Sequence, residues 1–221
     1  MSVLDIIVQY RQAILGGLWV TAQMCFIIWT LGIALGCFIG VLASYVKDWI
    51  GIPARVISYV LISIPALALL FWFHYPLQTF FHVVINPFYT AVFVISLINV
   101  FAVSELVRGI MDDFPQQYII AAKVCGMSNA DIIRKIQFPI IFRQIIPGLL
   151  TIQVNMLQLT LFASLISVGE IFRVAQELNA TVYLPVQIYT ALAIFFLIIC
   201  LPLNGLALFL KHRYTRNLSE K

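Results

Sequence analysis

Charge is what this sequence has least of. Of its 221 residues only 10% are Asp, Glu, Lys or Arg, while 62% are hydrophobic. With a mean hydropathy of +1.02, a water-soluble domain could not cover its surface. No G-x-x-x-x-G-K-[ST] loop occurs, so any ATP chemistry must be done by another chain. No Ser-His-Asp or paired-carboxylate arrangement occurs either, which argues against a membrane hydrolase. Four cysteines, Cys25, Cys37, Cys125 and Cys200, lack metal-type spacing, and three fall in apolar runs where Cys behaves as a small hydrophobe. The chain opens with the acidic Asp5 and leads into an apolar run too long for a signal peptide, so the first span is expected to be retained.

What is present is uncharged windows long enough to cross a hydrocarbon core of roughly 30 Å. They predict five transmembrane helices at about 12–46, 56–75, 86–108, 147–169 and 184–210, in one transmembrane domain, 1–221. Eleven of the 13 basic residues fall on one side: Lys47, Arg55, Arg108, Lys123, Arg134, Lys135, Arg143, Lys211, Arg213, Arg216 and Lys221. Arg11 and Arg173 fall on the other. An excess of Lys and Arg marks cytoplasmic loops, so the N-terminus is expected outside and the C-terminus inside. The net charge of +4 follows from basic residues at membrane boundaries and calls for membrane lipid, not nucleic acid, as a partner.

The cytoplasmic loop 112–146 is neither apolar enough to span nor polar enough to be disordered. Phe114-Pro115 can open a helix, residues 117–125 are good helix formers, and Gly126 supplies the left-handed residue expected past a helix end. Ser128 and Asp131 form an S-x-x-D cap for a second helix, with Ile132, Ile133 and Ile136 on one side and Arg134 and Lys135 on another. Pro139 is expected to close it. Periodicity alone is equally compatible with an amphipathic helix resting at the lipid interface.

The spacing of this loop is Ala121-Ala122, three residues, Gly126, nine residues, Ile136-Gln137-Phe138-Pro139. It resembles the EAA loop of bacterial ATP-binding-cassette importer permeases, E-A-A-x-x-x-G, nine residues, I-x-L-P. Ile120 stands where that family has Glu, and Phe138 where it has Leu. Small alanines permit close helix approach and Gly permits the turn. The flanks resemble the polar-amino-acid branch of these permeases, which includes histidine, glutamine and arginine importers. The stretch Ser104-Glu105-Leu106-Val107-Arg108-Gly109-Ile110, the residues Ser164, Ile166, Val168, Glu170, Arg173, Ala175 and Gln176, and the opening Gly16-Gly17-Leu18-Trp19-Val20-Thr21 carry the likeness. It runs over about 13–215. Two stretches depart. Ile62-Ser63-Ile64-Pro65 stands where the branch has R-G-T-P, and Gln158-Leu159-Thr160-Leu161 where it has K-D-T-S, so charges that could receive a charged amino acid are missing.

The resemblance implies a permease subunit of an ATP-binding-cassette importer in the bacterial inner membrane, moving a small polar solute, an amino acid first, by alternating access. It implies two cytosolic ATPase subunits using ATP and Mg, a second permease subunit, like or identical, and an extracytoplasmic substrate-binding protein. Ala121, Ala122, Gly126, Ile136 and Pro139 would form the ATPase-coupling segment. This chain would bind no cofactor and catalyse nothing. The alternatives are an ATP-independent channel or carrier, and an importer of a different small polar metabolite.

Polar residues inside the spans need partners and so are candidates for the translocation path. On span 4, Thr151, Asn155 and Gln158 form one helical stripe and Gln153, Thr160, Ser164 and Ser167 another. The first is the candidate path, although either can serve as interhelical glue. Ser96 and Asn99 on span 3 carry the same ambiguity. Glu105 with Arg108, and Glu170 with Arg173, have ion-pair spacing and read as structural or gating pairs. Gly32, Gly36 and Gly40 form overlapping G-x-x-x-G repeats, a packing surface for a helix of the same bundle or of a partner. His74 and His82 sit in an aromatic belt without the further ligands a metal needs.

Overall fold

The computed structural model describes residues 3–215, and within them the chain is all helix and turn, with no strand. A short α1 (Val3–Gln9) precedes α2 (Arg11–Tyr45), and a wide π-type turn (Lys47–Gly51) leads into α3 (Ile52–Ser63). Then come α4 (Ala66–His74), α5 (Pro76–Phe80), α6 (Pro87–Asp112) and α7 (Gln116–Val124). α8 (Asn129–Ile132) passes through a second π-type turn (Ile133–Gln137) into α9 (Phe138–Leu159), which tightens into a 3-10 turn (Thr160–Ile166). α10 (Ile171–Val182) and α11 (Pro185–Thr215) complete the order. The basic tail residues Arg216 and Lys221 lie outside the described residues.

Among the described residues, four helices are long and apolar enough to cross a membrane: Arg11–Tyr45, Pro87–Asp112, Asn129–Ile166 and Pro185–Tyr214. The expected second span is not one straight helix. Lys47–Ser63 and Ala66–Phe80 meet at a bend of 96° and make a fifth span only when taken together. The cause is Pro65, which disfavours helical geometry in the residue before it. Ile64 is accordingly extended, at φ −95° and ψ 126°.

Pro139 does not close a helix, contrary to expectation. The polypeptide is helical from Asn129 to Ile166, because the turn just before Pro139 widens and Phe138 N–H bonds to Ile133 O, five residues back. Widening makes room for a proline ring and a missing donor without a break. Lys47–Gly51 does the same ahead of Pro53, with Gly51 N–H bonded to Val46 O at 3.0 Å.

The bundle is centred on α6, against which α2, α3, α4 and α9 pack. Gly32, Gly36 and Gly40 are the reason α2 lies so close. A Cβ at Gly36 would stand 2.6 Å from Val103 Cβ and 2.7 Å from Val100 O, and one at Gly40 would stand 2.7 Å from Ser104 O. The glycine face is therefore spent on the chain's own α6. In lipid such close contact stabilises through dispersion and not through burial from water. Met24, Ile28, Leu70, Val94, Ile95 and Ile166 fill the core around it.

Candidate functional site

Three groups of residues singled out by sequence are set in place by this bundle. The first is the helix-turn-helix of α7 and α8. α7 ends with Gly126 at φ +77°, Met127 N–H bonds back to Ala122 O at 3.1 Å, and Gly126 N–H bonds to Lys123 O at 3.0 Å. This pairing is the Schellman closure that a left-handed residue permits. Ser128 caps the next helix, accepting from Asp131 N–H at 3.2 Å and donating to its Oδ2 at 2.7 Å, while Lys135 Nζ reaches Asp131 Oδ1 at 2.7 Å. Ala122 and Ile132 are buried, and α7 packs against α8. Ala121, Val124 and Cys125 are exposed, with Ile120 exposed in the position of the expected Glu. Ile136 and Pro139 are half-buried in the stretch that joins the motif to α9.

The second group is a charge network at the end of α6. Arg108 Nε donates to Glu105 Oε2 at 3.0 Å, and its Nη2 pairs with Glu105 Oε1. Its Nη1 reaches Asp112 Oδ2 at 2.7 Å. Asp112 Oδ1 also accepts from Ser44 Oγ at 3.3 Å and faces Lys47 Nζ at 3.7 Å. Asp112, the residue missed in sequence, makes this more than a pair on one helix surface: it ties α6 to the end of α2. Its position four residues beyond Arg108 was the available signal.

The third group comprises the polar residues of α9 and of the 3-10 turn that follows it. Gln153, Thr160 and Ser164 are buried, whereas Thr151, Asn155 and Gln158 are exposed on one face. Asn99 is fully buried; its Nδ2 donates to Ile28 O and to Gln153 Oε1, both at 2.9 Å, and its Oδ1 accepts from Gln153 Nε2 at 3.2 Å. Gly32 makes room for this, since a Cβ there would fall on the Asn99 amide. Asn99 and Ser96 are thus both buried within the packed bundle, where Asn99 joins α6 to α2 and α9. Thr151 lines a cavity of about 1150 Å³ shared by α6, α7, α9 and α11, whose mixed lining includes Leu106, Ile152, Asp113, Gln117, Gln144 and Lys211.

Glu170 and Arg173 do not form the side-chain pair that their spacing suggests. Glu170 is fully buried beyond the end of the α9 span and caps α10, accepting from Phe172 N–H and Arg173 N–H at 2.8 Å each. Arg173 turns away to Glu177, at 2.9 Å. Burial pushes the Glu170 carboxyl up to about 7, against the pull of its two backbone donors. Thr21 holds the same corner by accepting from Ile171 N–H at 3.2 Å. His74 Nδ1 lies 3.3 Å from Gln78 Nε2.

The family described as the inner membrane component of binding-protein-dependent transport systems matches residues 32–216. The octopine transport system permease OccM of Rhizobium radiobacter is 27% identical over 195 residues, 85% of this chain and 80% of that protein. The glutamine transport system permease GlnP of Escherichia coli (strain K12) is 28% identical over 188 residues, 83% of this chain and 86% of that protein. Among solved structures, an amino acid ABC transporter superposes with a TM-score of 0.84 at 22% identity, covering 96% of this chain and 99% of that one. This last likeness is one of fold.

Proposed function

The chain belongs to the family of binding-protein-dependent transport system inner membrane components, and on that premise we propose that its cargo is an amino acid or a closely related small polar solute. It is a multi-pass inner-membrane subunit of an ABC importer, in which ATP hydrolysis belongs to a separate ATPase subunit. The amino-acid reading draws on relatives named for octopine and glutamine. The assembly we infer has a second permease, two ATPases that use ATP and Mg, and a substrate-binding protein outside. The distribution of basic residues supports an N-terminus outside and the α7–α8 motif inside.

In this reading α7, with Ala121, Ala122 and Gly126, is the coupling helix. The observation that carries it is mechanical. The helix following the Gly126 turn continues without interruption to Ile166, so displacement of α7 is delivered directly to Thr151, Asn155 and Gln158. ATP binding closes the ATPase pair, the two coupling helices follow, and the path alternates between sides. The exposed Thr151 stripe lines that path, and the cavity of about 1150 Å³ is its inner mouth.

Substitution at Gly126 tests this. There is open space around its Cβ position but φ is +77°, so Gly126→Val acts through backbone strain and not through a clash, at a cost of about 1–2 kcal/mol. That shifts the turn's population by about 5–30-fold. Membrane insertion should persist while ATP-linked uptake in reconstituted vesicles falls, and Gly126→Asn, which tolerates left-handed geometry, should retain uptake. Undiminished uptake in Gly126→Val would overturn the coupling role.

A further inference from the structure

We infer that the connection between α5 and α6 is a membrane-inserting hairpin whose occupied surface is the lipid of the outer leaflet; the choice of leaflet rests on the orientation proposed above. Five large apolar side chains stand outward in this short stretch: Phe80, Phe81, Val83, Val84 and Ile85, with Val84 98% exposed and Phe80 77%. They belong to no candidate span except Phe80, which ends the bent pair. In a loop that meets water, such residues would form an unfavourable apolar patch.

The backbone of the loop is arranged for an apolar surrounding. Gln78 is buried and acts as its hub. Val83 N–H bonds to Gln78 O at 3.0 Å and His82 N–H to Thr79 O at 3.2 Å, with His82 at φ +52° closing the end of α5. Ile85 N–H bonds to Gln78 Oε1 at 2.9 Å, and Gln78 Nε2 donates to Thr90 Oγ1 at 3.1 Å. The N–H groups of Phe81, His82, Val83 and Ile85 are thus satisfied from within while the hydrophobic side chains point away. Non-helical backbone survives at membrane depth only when its polar groups have internal partners.

Charge distinguishes lipid from a docking protein as the occupant. No Asp, Glu, Lys or Arg occurs between Arg55 and Glu105, so the tip offers a soluble partner neither an ion pair nor electrostatic steering. Around it stand Trp72, Tyr75 and Tyr89, all at least half exposed, the residue types that settle at the headgroup level.

The test is a nitroxide label at Val84→Cys in the complete transport complex, reconstituted in phosphatidylethanolamine–phosphatidylglycerol vesicles. Val84 has almost no neighbours to disturb. Collision with oxygen, which concentrates in lipid, should exceed collision with a water-soluble nickel chelate several-fold at position 84. The order should reverse at a label placed at Thr181→Cys on the exposed side of α10. Dominance of the nickel chelate at position 84 overturns the inference, and so does shielding from both reagents, which would indicate a protein covering the loop. Failure of the orientation itself reads out separately: in intact cells an impermeant maleimide would then label Cys125 in preference to Thr181→Cys.

Discussion

Buried carboxylates are costly unless their oxygens are occupied, and Glu170 meets that demand with two backbone donors at the start of α10. Burial nonetheless raises its pKa from 4.5 to about 7. An acid whose folded pKa is raised is most favourable to the fold when protonated in both states. Its contribution is therefore fully present below pH 4.5 and is lost as pH rises to about 7. Glu170→Gln keeps one accepting oxygen and removes the titration. Thermal unfolding of the variant in detergent should lose the decline that wild type shows across this interval, and an unchanged decline would assign it to another group. Much at this scale is legible from sequence because it is local: Gly126 and Ser128 act on backbone groups within five residues. Asn99 is the counterexample. Its partners are Ile28 and Gln153, 71 and 54 residues away, and no spacing within one helix distinguishes such a side chain from one lining a path.

Elements extend the same lesson about proline. Pro65 interrupts a span and Pro139 does not, although both stand in apolar, helix-forming surroundings. The difference is that a π-type turn precedes Pro139, and α8, α9 and the turn between them pack as one continuous piece. This continuity is what lets α9 serve, in the function proposed above, as a lever from the α7–α8 motif into the membrane. Two glycines inserted between Gln137 and Phe138 would replace that lever with a flexible joint. ATPase binding should survive, while uptake per ATP hydrolysed should fall about 5–150-fold, the range of a coupling energy of roughly 1–3 kcal/mol. Transport and hydrolysis measured together on the same vesicles give this ratio, and an unchanged ratio would remove the lever. Helices run through all five uncharged windows, although the one through 147–169 begins at Asn129 and the one through 56–75 is a bent pair running from Lys47 to Phe80. The bend of 96° was beyond that reading, because hydropathy counts apolar residues without regard to their direction.

At the scale of the whole molecule, the division of labour is spatial. Glycines bring α2 against α6, the Asn99–Gln153 amide pair joins α6 to α9, and the Arg108–Asp112 network ties the end of α6 to the end of α2. Among the exposed surfaces are the polar face of α9 and the outer side of α7, which the proposed function assigns to the path and to the ATPase. Cys125 sits on the second of these and is exposed in the subunit alone. The most direct measurement is therefore its labelling by a membrane-impermeant maleimide in inside-out vesicles, with and without the bound ATPase. Rapid labelling of Cys125 without the ATPase and strong protection when the ATPase is bound is the expected result. Equal labelling in both cases, or no labelling from the inner side at all, would contradict the coupling role of this segment.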